Sequence, residues 1–318
     1  MWRPDRSIRG PERATHRDVE PLNRVFAEAF TDRYSRDGFV GVRVPQLNPT
    51  IWRYALEDAG DGAMIWRDAA GELVGFNMVH RSGTEGWMGP LAVRPERQGE
   101  GLGSNMVLSG IDWLKSEGAR TIGLETMPRT VDNIGFYSRL GFMPGHLTIT
   151  LVRDVHRRPG EIGEVLSGHT EVGPLLDQCR ELTEELAPGI DFTRELALTH
   201  ELRIGDTCLI RRGGELAAFA LWHSAPLAAG RPKDELRVLK LVAREPEDFD
   251  RTVEAVQRAA AAERVRRVAV RCQSALAEPY LRLVDQGFRV HWTDLRMILR
   301  GYAATGTRRG VILSNWEI

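Results

Sequence analysis

The chain has 318 residues, of which 42% are hydrophobic and 27% charged, an ordinary globular composition long enough for about two domains. A formal net charge of -1 lacks the basic excess expected of a nucleic-acid binder, and no apolar run approaches the length that spans a bilayer. Cys179, Cys208 and Cys272 show no metal-ligand spacing and read as free thiols in a reducing compartment. The polar start Met1-Trp2-Arg3-Pro4-Asp5-Arg6 has no apolar core of a signal peptide. Together these predict a cytoplasmic protein without a metal, with neither nucleic acid nor membrane as partner. Of 43 basic residues only Lys115, Lys233 and Lys240 are lysines, an arginine bias that suits a GC-rich genome as well as any surface.

In chain order, a strand near 7–9 precedes an amphipathic helix carrying Val19, Leu22, Phe26 and Phe30. A short helix around 51–56 leads to a hairpin at 63–80. A strand at 87–93, a helix at 100–117 and a strand at 121–127 then form a right-handed crossover with parallel strands. A short helix at 133–140 and a final strand at 147–152 close the unit. The series then repeats. Gly71-Glu72-Leu73-Val74-Gly75-Phe76 is echoed by Gly214-Glu215-Leu216-Ala217-Ala218-Phe219, Leu91-Ala92-Val93-Arg94 by Leu241-Val242-Ala243-Arg244, and Gly141-Phe142 by Gly287-Phe288. Three landmarks in one order at nearly constant spacing mark a duplication. The second unit reads as a strand at 235–244, a helix at 247–263, a strand at 266–272 and a short helix at 279–286. The joint is expected at Arg157-Arg158-Pro159-Gly160, rich in turn formers. Residues 311–318, with Ile312, Trp316 and Ile318 alternating on one face, are left over as a strand for a sheet edge of either unit.

The sharpest local signal is Val93-Arg94-Pro95-Glu96-Arg97-Gln98-Gly99-Glu100-Gly101-Leu102-Gly103-Ser104. A strand ends at Val93 and a helix begins among glycines, which remove the Cβ atoms that would keep a ligand from the backbone. Successive N–H groups entering a helix cradle an anion, and a pyrophosphate suits them. A P-loop is excluded, because no Gly-Lys-Ser/Thr follows. A dinucleotide fingerprint fits Gly99 and Gly101 but meets Ser104 where its third glycine or alanine belongs, although Glu125 could mimic its ribose-binding acid. A merely flexible glycine turn is the third reading.

This segment resembles the acyl-CoA signature of the GNAT superfamily of N-acetyltransferases, Gln/Arg-x-x-Gly-x-Gly/Ala, through Gln98, Gly101 and Gly103, with the family's preceding Val-x-Pro at Val93 and Pro95. A short aromatic helix ending in Gly-Phe, another family feature, is matched by Asn133-Ile134-Gly135-Phe136-Tyr137-Ser138-Arg139-Leu140-Gly141-Phe142. Asn133 stands closer to Tyr137 than the family's asparagine does to its tyrosine. The resemblance covers the first unit whole and the second more weakly. It implies an α/β (α+β) class with two tandem GNAT-like domains, 1–156 catalytic and 161–318 degenerate. Each would be a mixed, mostly antiparallel sheet with a splayed parallel strand pair and flanking helices. It also implies acetyl-CoA as co-substrate, held by Leu91, Ala92, Val93, Gln98, Gly99, Glu100, Gly101, Leu102, Gly103, Ser104 and Asn133.

The residues make the same chemistry plausible on their own terms. Pro90 cannot donate a ladder hydrogen bond, so with Gly89 it marks a splay point that leaves groups of Leu91 and Val93 needing partners. The two amides of a pantetheine arm could supply them. Transfer then needs a neutral amine, a place for the oxyanion and a proton for the departing thiolate. Tyr137 is the expected proton donor, since a phenol stays protonated at neutral pH; otherwise its ring fills the core and its hydroxyl reaches water. Glu125, on the strand face opposite Ile122 and Leu124, is the candidate base; otherwise it is a salt-bridging strand residue. His80 and Glu85 are alternative bases.

In the second unit Glu245-Pro246-Glu247-Asp248-Phe249-Asp250 stands where the glycines should be, and Leu283 takes the place of Tyr137. Four carboxylates would repel a pyrophosphate, so one acetyl-CoA per chain is expected. The predicted function is an acetyl-CoA:amine N-acetyltransferase acting on a small-molecule or protein amine, by direct attack in a ternary complex. A non-catalytic acyl-CoA sensor is the alternative. Phe39, Val40, Val42 and Val44 could wall the acceptor site, or pack against the second unit. Oligomeric state, a homodimer included, is left open by the sequence.

Overall fold

The computed structural model describes residues 7–155, 163–303, 306–307 and 309–316. The first half runs β1 (Ile8–Arg13), α1 (Val19–Arg36), α2 (Pro49–Ala59), β2 (Ala63–Asp68), β3 (Leu73–Ser82), β4 (Glu85–Val93), α3 (Leu102–Ser116), β5 (Thr121–Thr126), α4 (Val131–Arg139) and β6 (Phe142–Asp154). The second runs β7 (Glu164–Val165), α5 (Gly173–Leu186), α6 (Thr193–Leu202), β8 (Gly205–Arg212), β9 (Glu215–His223), β10 (Glu235–Ala243), α7 (Pro246–Ala262), β11 (Arg267–Gln273), α8 (Ala277–Asp285), β12 (Arg289–Leu299) and β13 (Val311–Ser314). The two halves repeat one mixed α/β fold. In each, a parallel strand pair, β4 with β5 and β10 with β11, sits among antiparallel neighbours. The turn-rich stretch at 157–160 lies outside the described residues.

Helix chemistry follows the periodicity. In α3 the residues Met106, Val107, Gly110, Ile111 and Leu114 form the buried stripe, and Leu114 and Val107 join a core with Ile122, Leu124 and Phe142. In α7 the stripe is Phe249, Val253, Val256 and Ala260. That helix begins with Pro246 and places Glu247 and Asp248 in its first turn, as the missing N–H and the helix dipole favour. Each fully buried Leu or Phe contributes about 1.5–3 kcal/mol. The three cysteines are buried. Among the described residues no helix is long and apolar enough to cross a membrane.

The halves are joined by an exchange of strands. One sheet runs in the order β1-β2-β3-β4-β5-β12-β6-β11-β10-β9-β8-β7. The last strand of the second half, β12, lies against β5 of the first, pairing Arg296 with Glu125 and Leu295 with Thr126. Reciprocally, β6 lies against β11, pairing Leu151 with Val270. The two exchanged strands pair with each other at the centre. The strand expected at 147–152 to close the first unit therefore reaches the other half instead.

The C-terminal strand also departs from expectation. It was assigned to a sheet edge, yet Val311–Ser314 pairs antiparallel with β10 inside the second half. Parallel pairing of β10 with β11 ends at Val238 and Val270. From Lys240 to Ala243 the side of β10 that β11 has left is taken by β13. Residues 317–318 lie outside the described residues.

Candidate active site

In the first half the same divergence occurs and, among the described residues, no third strand fills it. Parallel pairing of β4 with β5 runs from Glu85 and Thr121 to Met88 and Leu124 and stops, immediately before Gly89 and Pro90. Beyond it, the Arg94 N–H donates to the Val74 carbonyl at 2.9 Å. Antiparallel ladders alternate between bonded and non-bonded pairs. Ala92 therefore faces Phe76 on β3, while the peptide groups of Leu91 and Val93 turn towards the side β5 has left. The Gln98 side-chain amide donates to the Val93 carbonyl at 3.1 Å. The splay expected at Gly89-Pro90 is present.

A 3-10 turn at Pro95–Arg97 leads into the glycines. Gly99 and Gly101 have φ of 81° and 85°, the left-handed region in which a Cβ is strained. Gly101 is the N-cap of α3. A Cβ built on Gly99 or Gly101 meets nothing within 4 Å, so open space faces both. The first N–H groups of α3, at Leu102, Gly103 and Ser104, have no partners within the helix and carry the positive end of its dipole. Glu100 pairs with Arg97 at 3.4 Å, which offsets its charge beside the turn. A diphosphate fits this chemistry: backbone donors, no side chains in the way, and a helix dipole of the right sign.

Next to the glycine turn a cavity of about 360 Å³ opens between the diverging strands. Its lining brings together Leu91, Ala92, Val93, Gln98, Asn133, Tyr137 and Glu125. Residues 99–104 follow directly from Gln98 and are not part of that lining. Asn133 donates to Thr126 Oγ1 at 3.4 Å. The Tyr137 ring, half-buried on α4, packs on Phe136 and Phe142 with centroids at 5.0 and 6.2 Å. Burial pushes its phenol up to about 12. It is therefore protonated at any physiological pH and a reluctant acid.

Glu125 is not placed as a base. Burial works to raise its pKa, but the guanidinium groups of Arg271 and Arg296 and a hydrogen bond from Thr148 outweigh that effect and hold it at about 2. Arg296 Nε donates to it at 2.7 Å and Thr148 Oγ1 at 2.6 Å. A carboxylate held so low is a poor proton acceptor, and its surroundings make it the salt-bridging strand residue. His80 and Glu85 lie outside the cavity lining. His80 Nδ1 is 2.9 Å from Asp58 Oδ2, and Glu85 accepts from Ser314 at 2.7 Å; both are buried.

Several lining residues carry no sequence signal of their own. Arg33 and Tyr34 come from the end of α1, and Trp292 and Asp294 come from β12 of the second half. The alternation of Trp292, Asp294 and Arg296 was a readable strand pattern, but its destination in the other half was not. Of the loop at 37–49, Phe39 stacks behind the cavity on Tyr34 and Trp292 at 5.6 and 6.4 Å. Val40 and Val42 are 83% and 43% exposed instead of walling it.

Among the described residues the second half has no equivalent site. At the position of the glycines the chain enters α7 through Pro246, Leu283 is fully buried, and β13 covers the part of β10 that corresponds to Leu91–Val93.

Residues 25–142 match the Acetyltransferase (GNAT) family. Over 127 residues the chain is 31% identical to a mycothiol acetyltransferase of Actinosynnema mirum, a match covering 40% of this chain and 41% of the relative. The chain thus spans less than half the length of that relative. Among solved structures it resembles a GCN5-related N-acetyltransferase from Sphaerobacter thermophilus (TM-score 0.58, 17% identity, 94% of this chain and 98% of that one). It also resembles a tandem GNAT protein from the clavulanic acid biosynthesis pathway (TM-score 0.56, 13% identity, 94% and 100%). At these identities the two structures bear on the fold, which extends over both halves. The splayed strands, the glycine turn and the match to the acetyltransferase (GNAT) family coincide in residues 25–142.

Proposed function

We propose that the chain is an N-acetyltransferase that carries an acetyl group from acetyl-CoA to a primary amine, at one site in its first half. The observation that supports it most is the opening between β4 and β5. There Leu91 and Val93 turn backbone groups into a cavity that adjoins the open N-terminus of α3. Residues 1–156 form the catalytic unit in this reading, and 161–318 a degenerate one that completes it.

Acetyl-CoA supplies an activated acetyl thioester. Backbone groups of Leu91 and Val93 would hold its pantetheine amides, with Gln98 giving up the Val93 carbonyl, and the N–H groups of 102–104 would hold its diphosphate. The amine attacks directly in a ternary complex. Tyr137 stabilises the departing sulfur by donating a hydrogen bond as negative charge develops there. Asn133, at the start of α4, lines the same cavity.

Release of CoA thiol on mixing the full chain with acetyl-CoA and a panel of primary amines tests the proposal. Binding of acetyl-CoA without release for any amine would favour a sensor. Failure to bind acetyl-CoA would overturn the reading.

A further inference from the structure

The cavity is walled by both halves, and its second-half wall is chemically the more pointed. On β12, Trp292 and Asp294 alternate onto one face and line the cavity with Tyr34 of α1. The exchanged strand carries them there, because Arg296 is in register with Glu125 on β5 and Asp294 with Thr148 on β6. Trp292 is 37% exposed, a large aromatic surface held open beside a carboxylate.

The charges around the cavity do not cancel evenly. Arg33 on the α1 wall is committed to Asp37 at 2.6 Å and to Asp132 at 3.5 Å. Glu125 takes two guanidinium groups, Arg271 and Arg296. Asp294 shares the already committed Arg271 at 2.9 Å and, among the described residues, otherwise accepts from the Trp292 indole at 3.2 Å. The Tyr34 phenol lies close enough to sense these carboxylates: its pKa is raised first by burial and then by Asp294 and Asp37. Burial, opposed by Arg271 and aided by Glu125, also raises the Asp294 carboxyl above its ordinary value.

We propose that the acceptor is a cationic arylalkyl amine, whose ammonium pairs with Asp294 and whose apolar group lies against Trp292 and Tyr34. This rests on the acetyltransferase reading above. Asp294 takes one proton from the ammonium, leaving a neutral amine. The amine nitrogen forms a bond to the thioester carbonyl carbon, and the carbon–sulfur bond breaks. The sulfur leaves with the electron pair and gains the second amine proton through solvent. Asp294 then returns its proton to water. An amine bearing its own carboxylate would be repelled by Asp294.

The test uses the full chain with 2-phenylethylamine and phenylalanine, which differ by one carboxylate next to the amine. The expected kcat/KM is about 10- to 100-fold higher for 2-phenylethylamine, the scale of one charge-assisted hydrogen bond. Asp294→Asn should remove most of that preference while calorimetric acetyl-CoA binding is unchanged. Benzyltrimethylammonium, which cannot be acetylated, should compete with 2-phenylethylamine, whereas the uncharged isostere neopentylbenzene should not; this arm needs no variant to fold. Equal use of both amines, an unchanged preference in Asp294→Asn, or no competition by the cation would each overturn the acceptor assignment. A chain that fails to bind acetyl-CoA would instead overturn the underlying acetyltransferase reading.

Discussion

Replacing Tyr137 by phenylalanine removes one hydroxyl and leaves the ring contacts with Phe136 and Phe142 in place. The size of the effect follows from the phenol's environment. Burial holds it at about 12, whereas an ordinary thiol titrates near 8.5, so full proton transfer to the departing thiolate is uphill by about 5 kcal/mol. The phenol therefore acts by donating a hydrogen bond to sulfur as charge develops, and a hydrogen bond to a charged group contributes about 1.5–3 kcal/mol. Tyr137→Phe should then lower the acetyl-transfer rate about 10- to 150-fold, with the KM for acetyl-CoA nearly unchanged. Cofactor binding depends on backbone at 91–93 and 98–104, which the change does not touch. Single-turnover measurement with saturating acetyl-CoA is the appropriate assay, because slow product release would mask a chemical defect. An unaltered single-turnover rate across neutral pH would refute the role, and Tyr137 would revert to a packing residue.

Titration calorimetry should give one acetyl-CoA per chain; two equivalent sites would show that β13 does not close the second half. Gly101→Val should weaken acetyl-CoA binding at least about tenfold, since a branched side chain is strained at φ 85° and would enter the space in front of α3. A folded variant with normal affinity would place the diphosphate elsewhere. Glu125 titrates at about 2 in the folded chain against an ordinary 4.5, so its stabilising effect, about 3 kcal/mol, is complete above pH 4.5 and is lost as pH falls towards 2. Glu125→Gln should flatten this acid limb of a chemical-denaturation series, and an identical acid limb would contradict the ion-pair assignment.

Local pattern was enough for the helices and the parallel crossover, because the buried stripe of α3 and the bounded apolar runs of β4 and β5 are written within short windows. The glycine turn was legible for the same reason. What local pattern cannot carry is the destination of a strand. Residues 147–152 look the same whether they pair with β5 or with β11, and β12 was passed over although its alternation is present. Glu125 shows the cost for the site. Alternation correctly put it opposite Ile122 and Leu124, yet its chemistry is set by Arg271 and Arg296, which only the strand exchange brings near. Asp294 was invisible for the same reason, and the exposed valines at 40 and 42 were drawn to the acceptor site by composition alone.

The placement of β13 has a kinetic consequence for the second half. A ligand reaching between β10 and β11 would have to displace Val311–Ser314, a segment of the same chain that is in register with Lys240–Ala243. A tethered competitor acts at an effective concentration that reaches the millimolar range for short flexible linkers and does not fall when the protein is diluted. A free ligand of equal intrinsic affinity at micromolar concentration is at a disadvantage against it. The second half thus carries its own intramolecular competitor for the gap, one whose advantage is not lost on dilution.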